Sequence, residues 1–345
     1  MNKKTLILLL KLTVSVGVLA YLFYSFRTSK DYAETIDQLI YQPKDWWLLA
    51  GAWLACFISV LLTFVRWYWL VRALDLPFRL RDGMRLGFLG FLLNFVSLGS
   101  VGGDLFKAVF LAHEHPGRRA EAVSTIIIDR LIGLYGLLLL GSLVILSGQL
   151  PESPDIHKLG LVTLIGTGVI TLLCAVMMWP GLLHGPLAEK ICGLPKVGPH
   201  VTHLLQAART YRQRHGVLWA SLAITMVVHV LNVVGFYFIA RGLPGDSPTF
   251  ASHMLIVPLA VLTSAIPISL AGLGVFELAM QKLYLMVAPA EPLEMIPKLG
   301  LFVALINRVI MLLIAAVGVL FYIGGRREVR EVMQEVEEQA SEINL

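Results

Sequence analysis

The chain has 345 residues, of which 57% are hydrophobic and 15% are charged, and its mean hydropathy is +0.75. These values exclude a soluble globular domain and indicate a polytopic membrane protein. The formal net charge of +5 is accompanied by no nucleic-acid-binding motif, so we interpret it as information about membrane topology. The three cysteines lack metal-ligand spacing, and we expect neither a metal site nor a cofactor.

Six apolar runs are long enough to cross a bilayer. They cover residues 5–26, 46–71, 120–146, 158–179, 217–240 and 297–323. The first run follows Lys3 and Lys4 like a signal sequence, but it is too long for a signal-peptide core and lacks a small-residue cleavage site. We therefore predict an uncleaved first span.

Two glycine-rich breaks interrupt the apolar regions 84–112 and 251–288. The first break is residues 94–104 and ends at Asp104; the second is residues 264–277 and ends at Glu277. A hydrocarbon medium tolerates irregular backbone only where protein or a water-filled cavity satisfies its polar groups. The breaks therefore predict a functional site within the membrane.

Basic residues predict the orientation of the chain. Segment 72–85 has four arginines, segment 107–121 has three basic residues, and segment 181–216 has five. Connections 147–158 and 289–298 each have one basic residue beside acidic ones. We expect a multi-pass protein of the bacterial inner (cell) membrane with both termini in the cytoplasm.

This orientation places both flanks of region 84–112 on the cytoplasmic side. At about 1.5 Å per residue, the helices beside the first break are too short to cross a ~30 Å core twice. The region is therefore predicted to be a re-entrant hairpin, and region 251–288 is predicted to enter from the opposite face.

The predicted fold is an all-α polytopic integral membrane protein with about six full spans and two oppositely oriented re-entrant helical hairpins. Halves 1–150 and 155–325 repeat one pattern with inverted orientation, which is typical of secondary transporters. We expect one transmembrane domain, 1–325, followed by a charged amphipathic cytoplasmic helix at 326–345.

Several short motifs occur together in this order along the chain. They are Arg66-Trp67, Leu76-Pro77, Asn94 to Gly102-Gly103-Asp104, Asp129-Arg130-Leu131, and Pro267 with Gly272-Leu273-Gly274-Val275-Phe276-Glu277. Over residues 5–323 the sequence resembles the transmembrane domain family of lysylphosphatidylglycerol synthases. The resemblance implies a flippase-like lipid function. We expect no soluble aminoacyl-transfer domain, and hence no lipid lysinylation, because about 22 residues follow the last span.

Charged groups inside a span are functional candidates because each costs roughly 2.5–3.5 kcal/mol at the bilayer centre. We expect Arg130 and Arg308 to bind a lipid phosphate, for which a guanidinium is well suited. Asp104 and Glu277 would hold these arginines in the empty site or take a coupling proton. In the alternative interpretation, both carboxylates are helix caps and both ion pairs are purely structural.

The other candidates are backbone or secondary contacts. Backbone groups beside the breaks, at the helix N-termini, are expected to face an anionic headgroup. These residues are Gly102, Gly103, Gly272 and Gly274, and Asn94, the first residue of the first break, is a further substrate-binding candidate. Arg66 is a secondary candidate, but its Trp67 and Trp69 neighbours favour a side chain that snorkels to the interface. For His229, interhelical hydrogen bonding is favoured over catalysis.

The leading hypothesis is a lipid flippase or transporter that binds a phosphate-bearing, anionic membrane lipid where the two hairpins meet. The alternatives are a membrane-embedded enzyme of lipid or polyprenyl-linked glycan modification, and an accessory partner of a lipid-modifying enzyme. No nucleophile motif or histidine–carboxylate constellation favours an enzyme, so we expect no catalytic residue. The oligomeric state stays open.

Overall fold

The structure is a computed structural model that describes residues 41–96, 102–148, 153–178, 211–265, 273–287 and 296–324, together with positions 17, 20, 21, 24, 27 and 37. Over these residues the chain is helical and contains no β-strand. The helices are α1 (Trp46–Arg72), α2 (Leu80–Val96), α3 (Gly102–Glu114), α4 (Arg119–Leu146), α5 (Pro154–Met178), α6 (His215–Gly242), α7 (Phe250–Ala265), α8 (Val275–Val287) and α9 (Ile296–Gly324).

Five helices, α1, α4, α5, α6 and α9, are long and apolar enough to cross a membrane. They confirm five of the six predicted spans, with bounds that differ from the prediction by at most four residues. The described helices end and begin beside both predicted breaks: α2 ends at Val96 and α3 begins at Gly102, while α7 ends at Ala265 and α8 begins at Val275. The all-helical membrane fold is therefore confirmed.

Several sequence predictions concern residues outside the described ranges. The predicted first span falls there, apart from four isolated helical positions within 5–26, and so does the predicted C-terminal helix 326–345. The domain division, the re-entrant insertion of the two hairpins and the inverted repeat stay predictions.

Local sequence explains how α1 begins and how the chain turns towards α2. The Asp45 carboxylate caps α1 by accepting hydrogen bonds from the backbone N–H groups of Trp47 and Leu48, at 3.0 and 3.1 Å. After α1, Asp75 adopts φ 55°, a left-handed conformation that aspartate tolerates better than most residues. The chain can therefore reverse direction before α2.

Helices α1 and α6 form an antiparallel pair at the centre of the molecule. Backbone contact joins Asp45 to Gly242 at one end, and the Tyr211 hydroxyl donates to the Leu70 carbonyl oxygen, at 2.9 Å, at the other end. Midway, a Cβ atom on Gly235 would lie 2.7 Å from Cys56 Sγ, so this close approach requires glycine. Burial, together with the negative charges of Asp129 and Glu121, raises the pKa of Tyr211.

Helices α2, α3 and α4 pack in the same way as helices α7, α8 and α9. Helix α2 packs on α3, and α3 packs on α4; likewise α7 packs on α8, and α8 packs on α9. Across the halves, α2 packs on α9 and α7 packs on α4. Phe88 of α2 stacks on Phe321 of α9 with ring centroids 5.7 Å apart, and Gly318 allows the backbones to approach there.

Candidate functional site

The first arginine cluster consists of Asp104, Lys107 and Arg130. Asp104 lies in the first turn of α3 and is only 7% exposed. Its carboxylate forms an ion pair with Arg130 Nε of α4 and another with Lys107 Nζ, at 2.8 Å, on its own helix. One buried carboxylate is thus shared by two cations, and these three side chains carry a net positive charge.

The two cations of the first arginine cluster differ in accessibility. The Lys107 side chain is 12% exposed, and its ammonium lies 5.1 Å from the ring centroid of Trp67, within cation–π distance. The Arg130 side chain is 45% exposed. Arg130 is therefore the more exposed cation of this cluster.

A close backbone contact lies beside the first arginine cluster. The Gly103 N–H donates to Asn94 Oδ1 at 3.0 Å, which joins α3 to α2. A Cβ atom on Gly103 would overlap the Gly90 carbonyl oxygen, so α2 and α3 can approach this closely only with glycine here. Gly102 precedes this contact as the first residue of α3.

The second arginine cluster consists of Glu277 and Arg308. Glu277, which is 0% exposed, accepts from Arg308 Nε of α9 at 2.8 Å and from the Gly274 N–H at 2.7 Å. Gly274 precedes α8 with φ 84°, and the carboxylate that reaches back to it caps the helix. The Arg308 guanidinium also lies 5.4 Å from the Phe276 ring centroid, and its side chain is 19% exposed.

The pairing of each arginine with a carboxylate at the start of a half-length helix agrees with the sequence prediction. The model of the family described as the lysylphosphatidylglycerol synthase TM region matches residues 8–318. The chain belongs to this family. Comparisons with curated proteins and with solved structures gave no match.

Membership of the lysylphosphatidylglycerol synthase TM-region family relates the chain to the handling of membrane lipid. Together with the five apolar helices, it makes the chain a multi-pass membrane protein. Within the described ranges, no group of three histidine, cysteine, aspartate or glutamate residues could hold a metal ion.

Arg66 is buried within the protein, whereas its neighbours Trp67 and Trp69 favoured a position at the membrane interface. It is 4% exposed, and its Nε donates to Asp129 Oδ1 at 2.8 Å. Its Nη1 donates to Thr225 Oγ1 of α6, also at 2.8 Å. The snorkelling interpretation is therefore wrong, because the Arg66 side chain points into the protein and pairs with the Asp129 carboxylate of α4.

His229 lies near Arg66 and links the same helices. Its Nε2 donates to the Gly133 carbonyl oxygen at 3.0 Å, which agrees with the predicted interhelical hydrogen bond. Arg66, Asp129 and Thr225 thus form a buried hydrogen-bonded network between α1, α4 and α6, and His229 joins α6 to α4 beside it.

Of the ten predicted site residues, the structure brings Arg130 to Asp104, Arg308 and Gly274 to Glu277, and Asn94 to Gly103. Gly272 lies outside the described residues, and the role of all ten in substrate binding stays a prediction. Sequence reasoning missed Lys107 as a partner of Asp104. The spacing of i and i+3 on one helix was a signal that could have identified this pair.

Proposed function

We propose that this chain is a lipid flippase or transporter that binds a phosphate-bearing membrane lipid with Arg130. The chain acts without catalysis in this proposal, and the two helix pairs that flank the breaks form re-entrant hairpins whose ends meet at the site. Membership of a lipid-related membrane family supports the lipid, and the chemistry of the first arginine cluster supports an anionic headgroup.

The exposure of Arg130 inside a span is the observation that carries the proposal. Arg130 lies roughly 17 Å along α4 from Arg119, at about 1.5 Å per residue. Its side chain is nevertheless 45% exposed, beside the positive end of α3. A guanidinium at this depth is costly in hydrocarbon, and an anionic ligand in a polar cavity offsets that cost.

The corresponding packing of the two halves supports the inverted repeat. If α1, α2, α3 and α4 are exchanged with α6, α7, α8 and α9, each packing contact among these eight helices becomes another contact of the same molecule. The contact of α2 with α9 becomes that of α7 with α4, and the central pair maps onto itself. Inverted repeats with interrupted helices are an architecture of secondary transporters.

The distribution of arginines supports the orientation. The end of α1 and the starts of α2, α4 and α6 lie at the same end of the helix bundle. The arginines at this end are Arg72, Arg79, Arg81, Arg85, Arg118, Arg119, Arg212 and Arg214. By the positive-inside rule this end faces the cytoplasm, so the first hairpin enters from that side.

A lipid-scrambling assay tests the proposal. The purified protein is reconstituted into vesicles that contain fluorescent phosphatidylglycerol, and outer-leaflet dye is bleached with dithionite. Arg130→Gln should reduce the rate of lipid movement at least about tenfold, because a charge-assisted contact of roughly 1.5–3 kcal/mol is lost. Mass spectrometry of co-purified lipid should show less anionic lipid in the same variant.

Arg119→Gln is the matched control, since it makes the same substitution at the exposed first residue of the same helix. It should scramble lipid like the wild type. Normal lipid movement by Arg130→Gln, or no protein-dependent movement by the wild type, would refute the proposed function.

A further inference from the structure

The two carboxylates respond differently to the loss of their arginines. If an incoming phosphate draws Arg130 away, Asp104 still has the Lys107 ammonium at 2.8 Å. If Arg308 leaves Glu277, the Gly274 N–H remains, and no second cation reaches Glu277 among the residues the structure describes. A buried carboxylate without a cation is strongly destabilised, so only the first arginine is released at low cost.

Lys107 is positioned to stay in place while Arg130 exchanges partners. Its ammonium lies between the Asp104 carboxylate and the Trp67 ring, and its side chain is 12% exposed, against 45% for Arg130. Trp67 is itself 1% exposed, and its indole N–H donates to Thr125 Oγ1 at 3.3 Å. The lysine is thus fixed by two buried groups, whereas the arginine faces outward.

The geometry points to Lys107 as a retaining cation, which neutralises Asp104 so that Arg130 can exchange this carboxylate for the phosphate of one anionic lipid headgroup. This inference rests on the proposed function and adds to it. Binding takes place at the first arginine cluster, while Arg308 and Glu277 remain paired. Lys107 is a positioning residue: it acts through Asp104 and does not contact the phosphate.

Binding of a short-chain phosphatidylglycerol to the full-length protein in detergent tests this role. Lys107→Gln should weaken binding about tenfold or more, because Asp104 then competes for Arg130. Lys107→Arg should bind within about threefold of the wild type, since it keeps the cation. The decisive variant is the double substitution Lys107→Gln with Asp104→Asn, which should restore binding to within about threefold of the wild type.

The double variant separates a retaining cation from a phosphate ligand. If Lys107 contacted the phosphate directly, removal of Asp104 would not restore binding, and an affinity as low as that of Lys107→Gln would overturn the inference. The double variant also removes the buried carboxylate that could destabilise the single variant. Lys282→Gln, on exposed α8 surface, is the matched control and should bind normally.

Two further ligands distinguish failure of this inference from failure of the proposed function. Short-chain phosphatidylcholine, a zwitterionic lipid, and inorganic phosphate should both bind more weakly than phosphatidylglycerol. If the wild type does not prefer phosphatidylglycerol, or if Arg130→Gln binds it normally, the proposed function fails and takes this inference with it. If the wild type prefers phosphatidylglycerol and Arg130→Gln binds it weakly, the proposed function stands. If the double variant then binds no better than Lys107→Gln, only the inference about Lys107 fails.

Discussion

The two helix pairs that flank the breaks are joined by different kinds of contact. Helices α2 and α3 meet through backbone at Gly90 and Gly103, reinforced by the Asn94 side chain. Helices α7 and α8 meet through side chains, since His253 and Tyr284 are both 0% exposed and share a hydrogen bond of 2.7 Å.

These contacts also lie at different distances from the breaks. Asn94 and Gly103 lie within two residues of the ends of α2 and α3 that face the break. His253 is near the start of α7, and Tyr284 is near the end of α8, both far from the second break. The close backbone contact of the first pair therefore lies near its arginine cluster, whereas the buried hydrogen bond of the second pair lies far from its own cluster.

The largest effect should come from removing the second arginine. Arg308→Gln leaves Glu277 buried with the Gly274 N–H as its donor among the described residues, and it should lower the free energy of unfolding by about 3–5 kcal/mol. Arg130→Gln leaves Asp104 with Lys107 and should cost less than about 1 kcal/mol. Thermal unfolding in detergent measures both variants.

The double substitution Glu277→Gln with Arg308→Gln is the control for this prediction. It removes both charges and should recover most of the lost stability. Equal destabilisation by Arg130→Gln and Arg308→Gln would show that Lys107 does not compensate Asp104 for the loss of its arginine.

An intermediate effect should come from the glycine contact. Gly103→Ala places a methyl group on the Gly90 carbonyl oxygen, so α3 must shift, at a cost of about 1–3 kcal/mol. Gly166→Ala on α5 is the control, because nothing lies within 4 Å of its Cβ position and alanine is the better helix former. A Gly103→Ala protein that melts like the wild type would contradict the close contact.

A smaller effect should come from the contact in the second pair. His253 Nδ1 lies 2.9 Å from the Thr249 carbonyl oxygen and donates to it, so Nε2 accepts from the Tyr284 hydroxyl. Tyr284→Phe should therefore cost about 1–2 kcal/mol. Tyr135→Phe, whose hydroxyl contacts Thr171 at an exposed site, should change the melting temperature little.

Much of the fold could be predicted from sequence because hydropathy is a local property. The bounds of α1 and α4 follow from apolar length, and the positions of Asp104 and Glu277 follow from the glycines before them. Pairing of each carboxylate with an arginine was predictable too, because an ionised group within a span needs a counter-charge.

The rest depends on contacts between distant parts of the chain. The neighbouring tryptophans suggested that Arg66 lies at the membrane interface, but its ion pair with Asp129 holds it inside the protein. Asp129 is 63 residues away in sequence, so no local pattern indicates this pair. His253 and Tyr284 are separated by the second break, so no periodic pattern links them. The packing of α2 on α9 could not be predicted either, because it depends on the close approach of Gly318 to the Phe88 backbone.

The packing of each half against the other has a consequence for biosynthesis. Phe88 meets Phe321, which is synthesised near the end of the described chain, and α4 meets α7. A nascent chain that has inserted α1 to α4 therefore presents two faces to lipid whose protein partners do not yet exist. The first half can therefore complete these contacts only after α7 and α9 have been synthesised.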